Sequence, residues 1–348
     1  MAKLALVTGA TGFLGSHMVE LLVKEGYQVR ATDLPLPNQE DDPKRGRYPG
    51  LLKKLGVEFI PSNLAKPDNL SEVVKGVDYV FHIAALFSYI IPWEALYQVN
   101  VEGTRNLIHA LLKEGSVKRF VLWGAGGIYG APKPEELPIR ETSPKQPPNN
   151  YLKSKWEQER LVEHFAQKEK LPYTCVRPTG VYGPRAVYGM GQLLCQFGNM
   201  KKIKVPKNFT GRMALVHAED VCRAALFLAT RDDALGEAYN LADDVPYTTV
   251  EFFKILADLL GKPFKPMPAV PIKLLKGAAL TAAVVENFFS QKLLKKKPKL
   301  EKDTIFFLGT DFWYSNEKLE KLGFRFAYPD GRAGFAQTIP WYREAGLI

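Results

Sequence analysis

The amino-acid sequence predicts an α/β chain: a Rossmann-type doubly wound parallel sheet followed by a smaller C-terminal α/β lobe. Three observations predict it. The first 35 residues read as strand, glycine-rich turn, helix and strand; short apolar runs then alternate with segments of helical period as far as Arg177; and beyond Pro178 the alternation loosens. The 348 residues exceed the roughly 100–200 of a usual domain. We therefore expect two units, 1–178 and 179–348, with some segments of the second returning to the sheet of the first.

Leu4, Ala5, Leu6 and Val7 make an apolar strand, Leu14, Met18, Leu21 and Leu22 recur at helical spacing over 13–24, and 28–31 opens a second strand ending at Asp33. The Pro- and Gly-rich stretch 35–50 reads as a surface connection. Further strands are expected at 57–61, 79–83, 120–123 and 173–177, with helices at 69–75, 93–113 and 149–170. In the second unit, 219–230 and 249–260 read as helices. Residues 270–297 are apolar and basic in turn, and Lys273, Lys276 and Glu286 make them a poor membrane span. They read either as a core-facing helix with a solvated basic tail or as a helix lying on a membrane surface. A short hydrophobic strand and the segment FWYSNEKLEKLGF are expected to follow.

A composition of 46% hydrophobic and 24% charged residues excludes disorder as the main state. Cys175, Cys195 and Cys222 are odd in number and lack metal-ligand spacing. That argues against a metal centre or a disulfide framework and for a reducing, cytoplasmic compartment. The opening MAKLALVTGATG reads as strand and turn, with no secretion signal. The net charge of +10 sits largely in local runs such as Lys201-Lys202 and Lys295-Lys296-Lys297, without a reader motif or interleaved aromatics, so no nucleic-acid partner is expected.

Two motifs carry chemistry. In Thr8-Gly9-Ala10-Thr11-Gly12-Phe13-Leu14-Gly15, three glycines lie at a strand-to-helix turn, where missing side chains let backbone N–H groups approach a pyrophosphate at the helix N-terminus. Asp33, at the end of the next strand, suits the two ribose hydroxyls of NAD and would repel the 2′-phosphate of NADP. Arg30 and the basic Lys44-Arg45 are the cations close enough in sequence to reverse that preference, and Asp33 has the alternative role of capping the turn before Pro35. In Tyr151-Leu152-Lys153-Ser154-Lys155, a phenol and an ammonium four residues apart share one helix face. The lysine is expected to lower the phenol's pKa and to hold the nicotinamide ribose, leaving the tyrosine to relay a proton.

Both motifs, in this order and on these elements, resemble the extended short-chain dehydrogenase/reductases, the superfamily of NAD-dependent epimerases and dehydratases. The resemblance spans essentially the whole chain and includes SNLAKPDNL at 62–70, VFHIAA at 80–85, VNVEGTRNL at 99–107, GGIYG at 126–130, VRPTGVYGP at 176–184 and LVHAEDV at 215–221. It implies that Thr11, Phe13 and Leu14 join the three glycines around the cofactor and that Asn63 and Leu64 lie by the adenine, Asn63 standing where the family commonly has Asp. It also implies that Ala84 and Ala85 line the cofactor path, that Asn100 helps hold the central strands, and that Pro178 to Val181 run beside the nicotinamide. Tyr151 and Lys155 would be the catalytic pair. A homodimer through the surfaces of 93–113 and 150–168 is a further implication.

One position departs from the family pattern. Ala125 stands where Ser or Thr usually bonds the substrate oxygen, four residues before Tyr129. An introduced substitution, a replacement donor (a backbone N–H, Thr179 or the substrate itself), or a protein that binds cofactor without turnover would each account for it. A sugar 4,6-dehydratase would need an Asp-Glu pair where this chain has Gly126-Gly127. The arginine with which nucleotide-sugar epimerases meet a diphosphate falls one residue out of register at Arg212, leaving Met213 at the matched position. RPTGVYGP with LVHAEDV, and the C-terminal segments, look more like the 3β-hydroxysteroid dehydrogenase, sterol-4-carboxylate 3-dehydrogenase and dihydroflavonol-reductase branch. The expected activity is thus oxidation of a large apolar secondary alcohol, most naturally a 3β-hydroxysteroid. The alternatives are a nucleotide-sugar 4-epimerase and a non-catalytic NAD-binding redox sensor.

Overall fold

The computed structural model describes residues 3–288 and 309–348. Seven strands form one parallel sheet: β1 (Leu4–Thr8), β2 (Gln28–Thr32), β3 (Glu58–Phe59), β4 (Tyr79–His82), β5 (Arg119–Trp123), β6 (Tyr173–Pro178) and, after three strands of the lobe, β10 (Ala238–Leu241). Their spatial order is β10-β6-β5-β4-β1-β2-β3. The order reverses between β1 and β4, so a crevice opens at the carboxyl ends of those two strands, where open α/β sheets bind ligands.

Helices cover both faces, which is why the strands are apolar at successive positions rather than alternately. Ala5 and Val7 point into one core with Phe81, Val121 and residues of α1 (Phe13–Lys24). Leu6 points into the other with Val80, Phe120 and residues of α3 (Leu70–Val74), after the short α2 (Pro49–Lys54) on the connection from β2. The expected connection over 35–50 thus ends in a helical turn, begun by Pro49 at a position where a missing N–H costs nothing.

The single helix expected over 93–113 is broken into α4 (Trp93–Leu96), a π turn over Tyr97–Glu102, and α5 (Gly103–Glu114). The widened turn carries Asn100, whose buried side chain accepts from Leu86 N at 2.7 Å and donates to Leu86 O at 3.2 Å and Ser154 Oγ at 2.9 Å. Asn100 thus ties the loop after β4 to α6 (Asn150–Glu169), instead of bonding the central strands themselves.

The lobe contains β7 (Gly180–Tyr182) paired with β9 (Leu215–His217), and β8 (Ile203–Pro206) paired with β11 (Phe264–Met267). Around them lie α7 (Met190–Gly198), α9 (Thr249–Leu260), α10 (Ile272–Phe288) and α12 (Gly331–Glu344). By contrast, α8 (Ala218–Ala229) and α11 (Glu317–Lys321) contribute to the core beside β1. Ile272 and Leu275 of α10 pack against the lobe core, while Leu274 faces outward. The basic run Lys295-Lys296-Lys297 and the short strand expected after it lie outside the described residues. Among the described residues, no helix is long and apolar enough to cross a membrane.

Two buried histidines make the fold acid-sensitive. Burial, then the nearby Lys155 charge, pushes His82 down to about 3, and burial pushes His217 down to about 4. Folded values below the ordinary 6.5 mean that the unfolded chain binds more protons between about 3 and 6.5, so stability falls as pH drops through that window. Between pH 7 and 4.5, His82 alone accounts for a loss of about 2–3 kcal/mol. Urea unfolding at the two pH values measures it. His82→Gln should lose correspondingly less on acidification, and an unchanged loss would remove His82 as the cause.

Candidate active site

The β1–α1 turn is shaped by what a side chain would hit. Gly9 has φ +66°, and a Cβ there would stand 2.9 Å from Ala84 Cα. A Cβ on Gly15 would fall 2.0 Å from Gly9 O, so α1 can seat against β1 only without one. At Gly12, by contrast, the nearest atom is Gly9 O at 3.3 Å, and the space ahead of α1 stays open. Gly12 is the N-cap, no side chain caps the helix, and its first turn carries no acid. The amides of Phe13 and Leu14 and the positive end of the helix dipole are thus available to a pyrophosphate.

Asp33 lies beside this turn, its side chain 9% exposed. Its Oδ2 accepts from Thr11 N at 3.1 Å and Thr11 Oγ1 at 2.6 Å, and its Oδ1 from Leu34 N at 2.8 Å. Asn63 and Leu64 follow β3, joined to the same region by Ser62 N donating to Asp33 O. Asn63 Oδ1 accepts from Ala65 N and Leu64 O from Asn106 Nδ2, so the asparagine's amide nitrogen is the end left for a base. Thr8 Oγ1 accepts from Ile83 N and Ala84 N, pinning the backbone that leads to the half-buried Ala85 across the crevice.

Neither expected phosphate-seeking cation is where the sequence placed it. Arg30 is held by Glu58 and by the carbonyls of Glu72, Val73 and Lys75 behind α3. Arg45 is 82% exposed and pairs with Asp42. The guanidinium at the site is that of Arg47, which the sequence reading passed over because it lies inside an irregular connection.

Tyr151 and Lys155 enter on α6, whose start is fixed by Asn149 Oδ1 accepting from Leu152 N. Tyr151 lies under an aromatic cover: its ring centroid is 4.8 Å from Phe87 and 6.0 Å from Tyr89, and Tyr188 meets Phe87 in a tilted pair at 5.3 Å. Lys155 is buried and donates to Gln158 Oε1 at 2.5 Å; Gln158 Nε2 donates to Thr104 Oγ1 and meets His82, whose Nδ1 reaches Thr8. This corrects the expected electrostatics of the cofactor-free site. Burial, then Tyr89 and Tyr188, raises the Tyr151 phenol, and burial lowers Lys155 to about 8. The ammonium serves Gln158, and desolvation governs both groups.

Ala125 is nearly buried at the head of the turn Gly126–Tyr129, in a cluster with Leu152 and the half-buried Tyr151 and Phe312. The Thr179 hydroxyl donates to Leu241 O at 3.1 Å, and its methyl faces Gly126, 3.2 Å from where a Cβ there would stand. Thr179 is therefore committed away from the position a serine would serve. A Cβ on Gly127 would be 2.9 Å from the Leu152 methyls, and one on Gly126 would be 3.1 Å from Pro178 O. Pro178 ends β6, and Val181 lies in β7, half-buried. A cleft of about 640 Å³ lies elsewhere, lined by His17, Glu20, Tyr48, Arg185 and Trp341 among others, and none of these predicted site residues lines it.

Phe87, Tyr89 and Tyr188 were missed by the sequence reading. They come from two distant loops, and no periodicity connects them to Tyr151.

Residues 5–242 match the model of the NAD dependent epimerase/dehydratase family. The chain belongs to that family. Mouse dTDP-D-glucose 4,6-dehydratase is 30% identical over 272 residues, 74% of this chain and 73% of the relative. Bovine sterol-4-alpha-carboxylate 3-dehydrogenase, decarboxylating, is 29% identical over 344 residues, 93% of this chain and 88% of the relative. Among solved structures, gox2253 superimposes with a TM-score of 0.77 at 26% identity, covering 99% of both chains. As an extended short-chain dehydrogenase/reductase, the protein is an enzyme whose cofactor is NAD. The bare glycine turn, the uncapped α1 and Asp33 fit that dinucleotide.

Proposed function

We propose that this family member oxidises the 3-hydroxyl of an apolar 3β-hydroxysterol, with C4-carboxylated sterols as the preferred substrates. The observation that carries the reading is the wall around Tyr151. Phe87, Tyr89 and Tyr188 make an aromatic enclosure, while the positions of an acidic pair are held by Gly127 and Gly126, packed against the Leu152 side chain and Pro178 O. A dehydratase needs those acids. Arg212 is turned away from any diphosphate by its bidentate bond to Asp311, at 2.8 and 2.6 Å, and lies over the Trp313 ring.

Glycines 9, 12 and 15 and the α1 amides would hold the pyrophosphate, Asp33 the adenosine ribose, and Lys155 the nicotinamide ribose. When bound, NAD supplies the hydride acceptor for the carbinol carbon. Tyr151 Oη receives the hydroxyl proton, and Phe87 and Tyr89 exclude water from that transfer. Oxidation at C3 of a 4-carboxysterol leaves a β-keto acid, which loses CO₂ through its own carbonyl. With Ala125 providing no hydroxyl and Thr179 engaged, the 4-carboxylate is the polar group we assign to that gap.

The test is NADH formation with 3β-hydroxysterols, with and without a 4-carboxylate, for the protein and for Ala125→Ser. We expect turnover that favours the carboxylated sterols, and a gain of about tenfold or more for the serine variant on sterols lacking the carboxylate. No sterol-dependent NADH from either protein would overturn the reading, and a protein that retains tightly bound NAD and binds UDP-sugars would put an epimerase in its place.

A further inference from the structure

The β8–β11 sheet of the lobe sets lysines side by side on its outer face. Ile203 and Val205 point into the lobe core, which turns the intervening Lys204 outward. β11 runs parallel beside β8, with Lys265 opposite Lys204 and Met267 opposite Pro206. Lys204 and Lys265 therefore share one exposed face with Met267, which is 36% exposed. Lys201 and Lys202 lead into β8 and Lys207 leaves it, all three exposed, with Lys207 N donating to Met267 O at 3.0 Å. The next residue, Asn208, clamps the chain that leads to α10: its Nδ2 donates to Val270 O at 2.8 Å and its Oδ1 accepts from Val270 N at 3.1 Å. The clamp brings the exposed Lys273 and Leu274 to the edge of the lysine face.

No acid balances this charge from within the same segments. Residues 199–210 and 259–285 contain none. Among the described residues, Lys201, Lys202, Lys204, Lys207, Lys265 and Lys273 enter no ion pair. Like charges at opposed positions are unfavourable in a sheet, and an anionic surface laid against Lys204 and Lys265 removes that repulsion. Apolar side chains stand among the lysines: Met200 is 44% exposed, Leu274 68% and Leu280 46%. Ile272 and Leu275 seat the first turn of α10 on the lobe core, but Gly277, Ala278, Leu280, Thr281 and Ala282 are exposed. A Cβ on Gly277 would meet nothing within 4 Å. Thr281 is the one polar residue from 278 to 285, and a helix apolar on all sides is ordinarily buried. Yet α10 is not long and apolar enough to cross a membrane.

We infer that this face of the lobe docks on an anionic lipid bilayer, with the lysines of β8, β11 and their flanks against the headgroups and Met267, Leu274 and Leu280 entering the boundary with the acyl chains. Basic side chains beside an uncovered apolar helix are what such a surface attracts. A nucleic acid would neutralise the lysines but leave Leu274 and Leu280 in water, so the bilayer is the occupant that satisfies both halves of the face. The inference rests on the lobe alone and stands apart from the sterol reading.

Cosedimentation of the full chain with vesicles of equimolar phosphatidylcholine and phosphatidylglycerol tests it; the vesicles carry no sterol, so the outcome is independent of the substrate assignment. The protein should bind these vesicles and not vesicles of phosphatidylcholine alone, and added salt should weaken the binding. Lys204→Ala combined with Lys265→Ala should lower the affinity by about tenfold or more. Leu274→Ser should lower it by about fivefold or more and leave the salt dependence in place. Undiminished NADH affinity in both variants shows that they are folded. Absence of binding to the mixed vesicles, or binding that the lysine substitutions leave unchanged, overturns the inference. So does a Leu274→Ser protein that binds like the parent, because a contact made by charge alone does not need the apolar rim. If the vesicles bind neither protein while the lysine variant loses affinity for duplex DNA, the face belongs to a nucleic acid and the bilayer is overturned.

Discussion

Tyr151→Phe is expected to lower turnover by about 10²–10⁴-fold, the usual worth of a positioned acid–base group, while NADH affinity stays within about threefold. The variant keeps the ring that Phe87 meets at 4.8 Å and Tyr89 at 6.0 Å, so the aromatic cover and the cluster with Ala125 and Leu152 remain packed. Only the hydroxyl is lost. Burial and the neighbouring Tyr89 and Tyr188 phenols raise the pKa of Tyr151 in the cofactor-free site, with no compensating ammonium bond because Lys155 donates to Gln158. A raised acid is deprotonated only as pH climbs, and oxidation needs the deprotonated form to take the substrate proton. The wild-type rate of alcohol oxidation should therefore rise with pH through the alkaline range, and the residual rate of Tyr151→Phe should lose that dependence. Steady-state rates across pH, paired with NADH titration, measure both. A phenylalanine variant within tenfold of wild type would take the proton relay away from Tyr151.

The motifs that sequence made legible are those whose constraint is local. The glycine turn requires a left-handed residue at Gly9 and the absence of a Cβ at Gly15, and both demands are met within eight residues of chain. Strand runs such as 4–7 are recognisable because both faces of the sheet are covered, which forces apolarity at each position. What escaped depends on contacts between distant segments. Arg30 is near Asp33 in sequence but points to Glu58 and the carbonyls at the end of α3. Arg47 lies fourteen residues further along than Asp33, yet the 42–47 turn returns it to the site. Phe87 and Tyr89 meet Tyr151, and Tyr188 meets Phe87, through two loops with no shared period. The π turn at Tyr97–Glu102 is invisible in a helical pattern because one wide turn hardly disturbs the apolar spacing on either side, yet it is what directs Asn100 to Leu86 and Ser154. The Tyr-Lys spacing was legible as a shared helix face, but Gln158, one turn further on, decides where the ammonium points.

Gly15→Ala and Gly12→Ala should separate the two things that the glycine turn does. At Gly15 a methyl would stand 2.0 Å from Gly9 O, 2.7 Å from Gly9 C and 2.7 Å from Ala10 Cα. All three are backbone atoms of the turn that leaves β1, so no side-chain rotation relieves the clash. Either α1 must lift from the sheet or the turn must open. Overpacking of this kind costs about 1–3 kcal/mol and sometimes more; with three backbone contacts we expect about 3 kcal/mol, together with loss of NADH binding. At Gly12 the methyl would meet Gly9 O at 3.3 Å and the Arg47 guanidinium at 4.0 Å, so stability should change by less than about 1 kcal/mol. The added methyl would nevertheless occupy the open approach to the uncapped α1 amides, and NADH affinity should fall by about tenfold or more. Thermal unfolding and NADH titration on both variants read the two effects separately. A Gly15→Ala protein as stable as the parent would mean that α1 does not seat on β1 as described. A Gly12→Ala protein with full NADH affinity would move the pyrophosphate off the helix N-terminus, and with it the placement of every cofactor contact inferred from that end of the crevice.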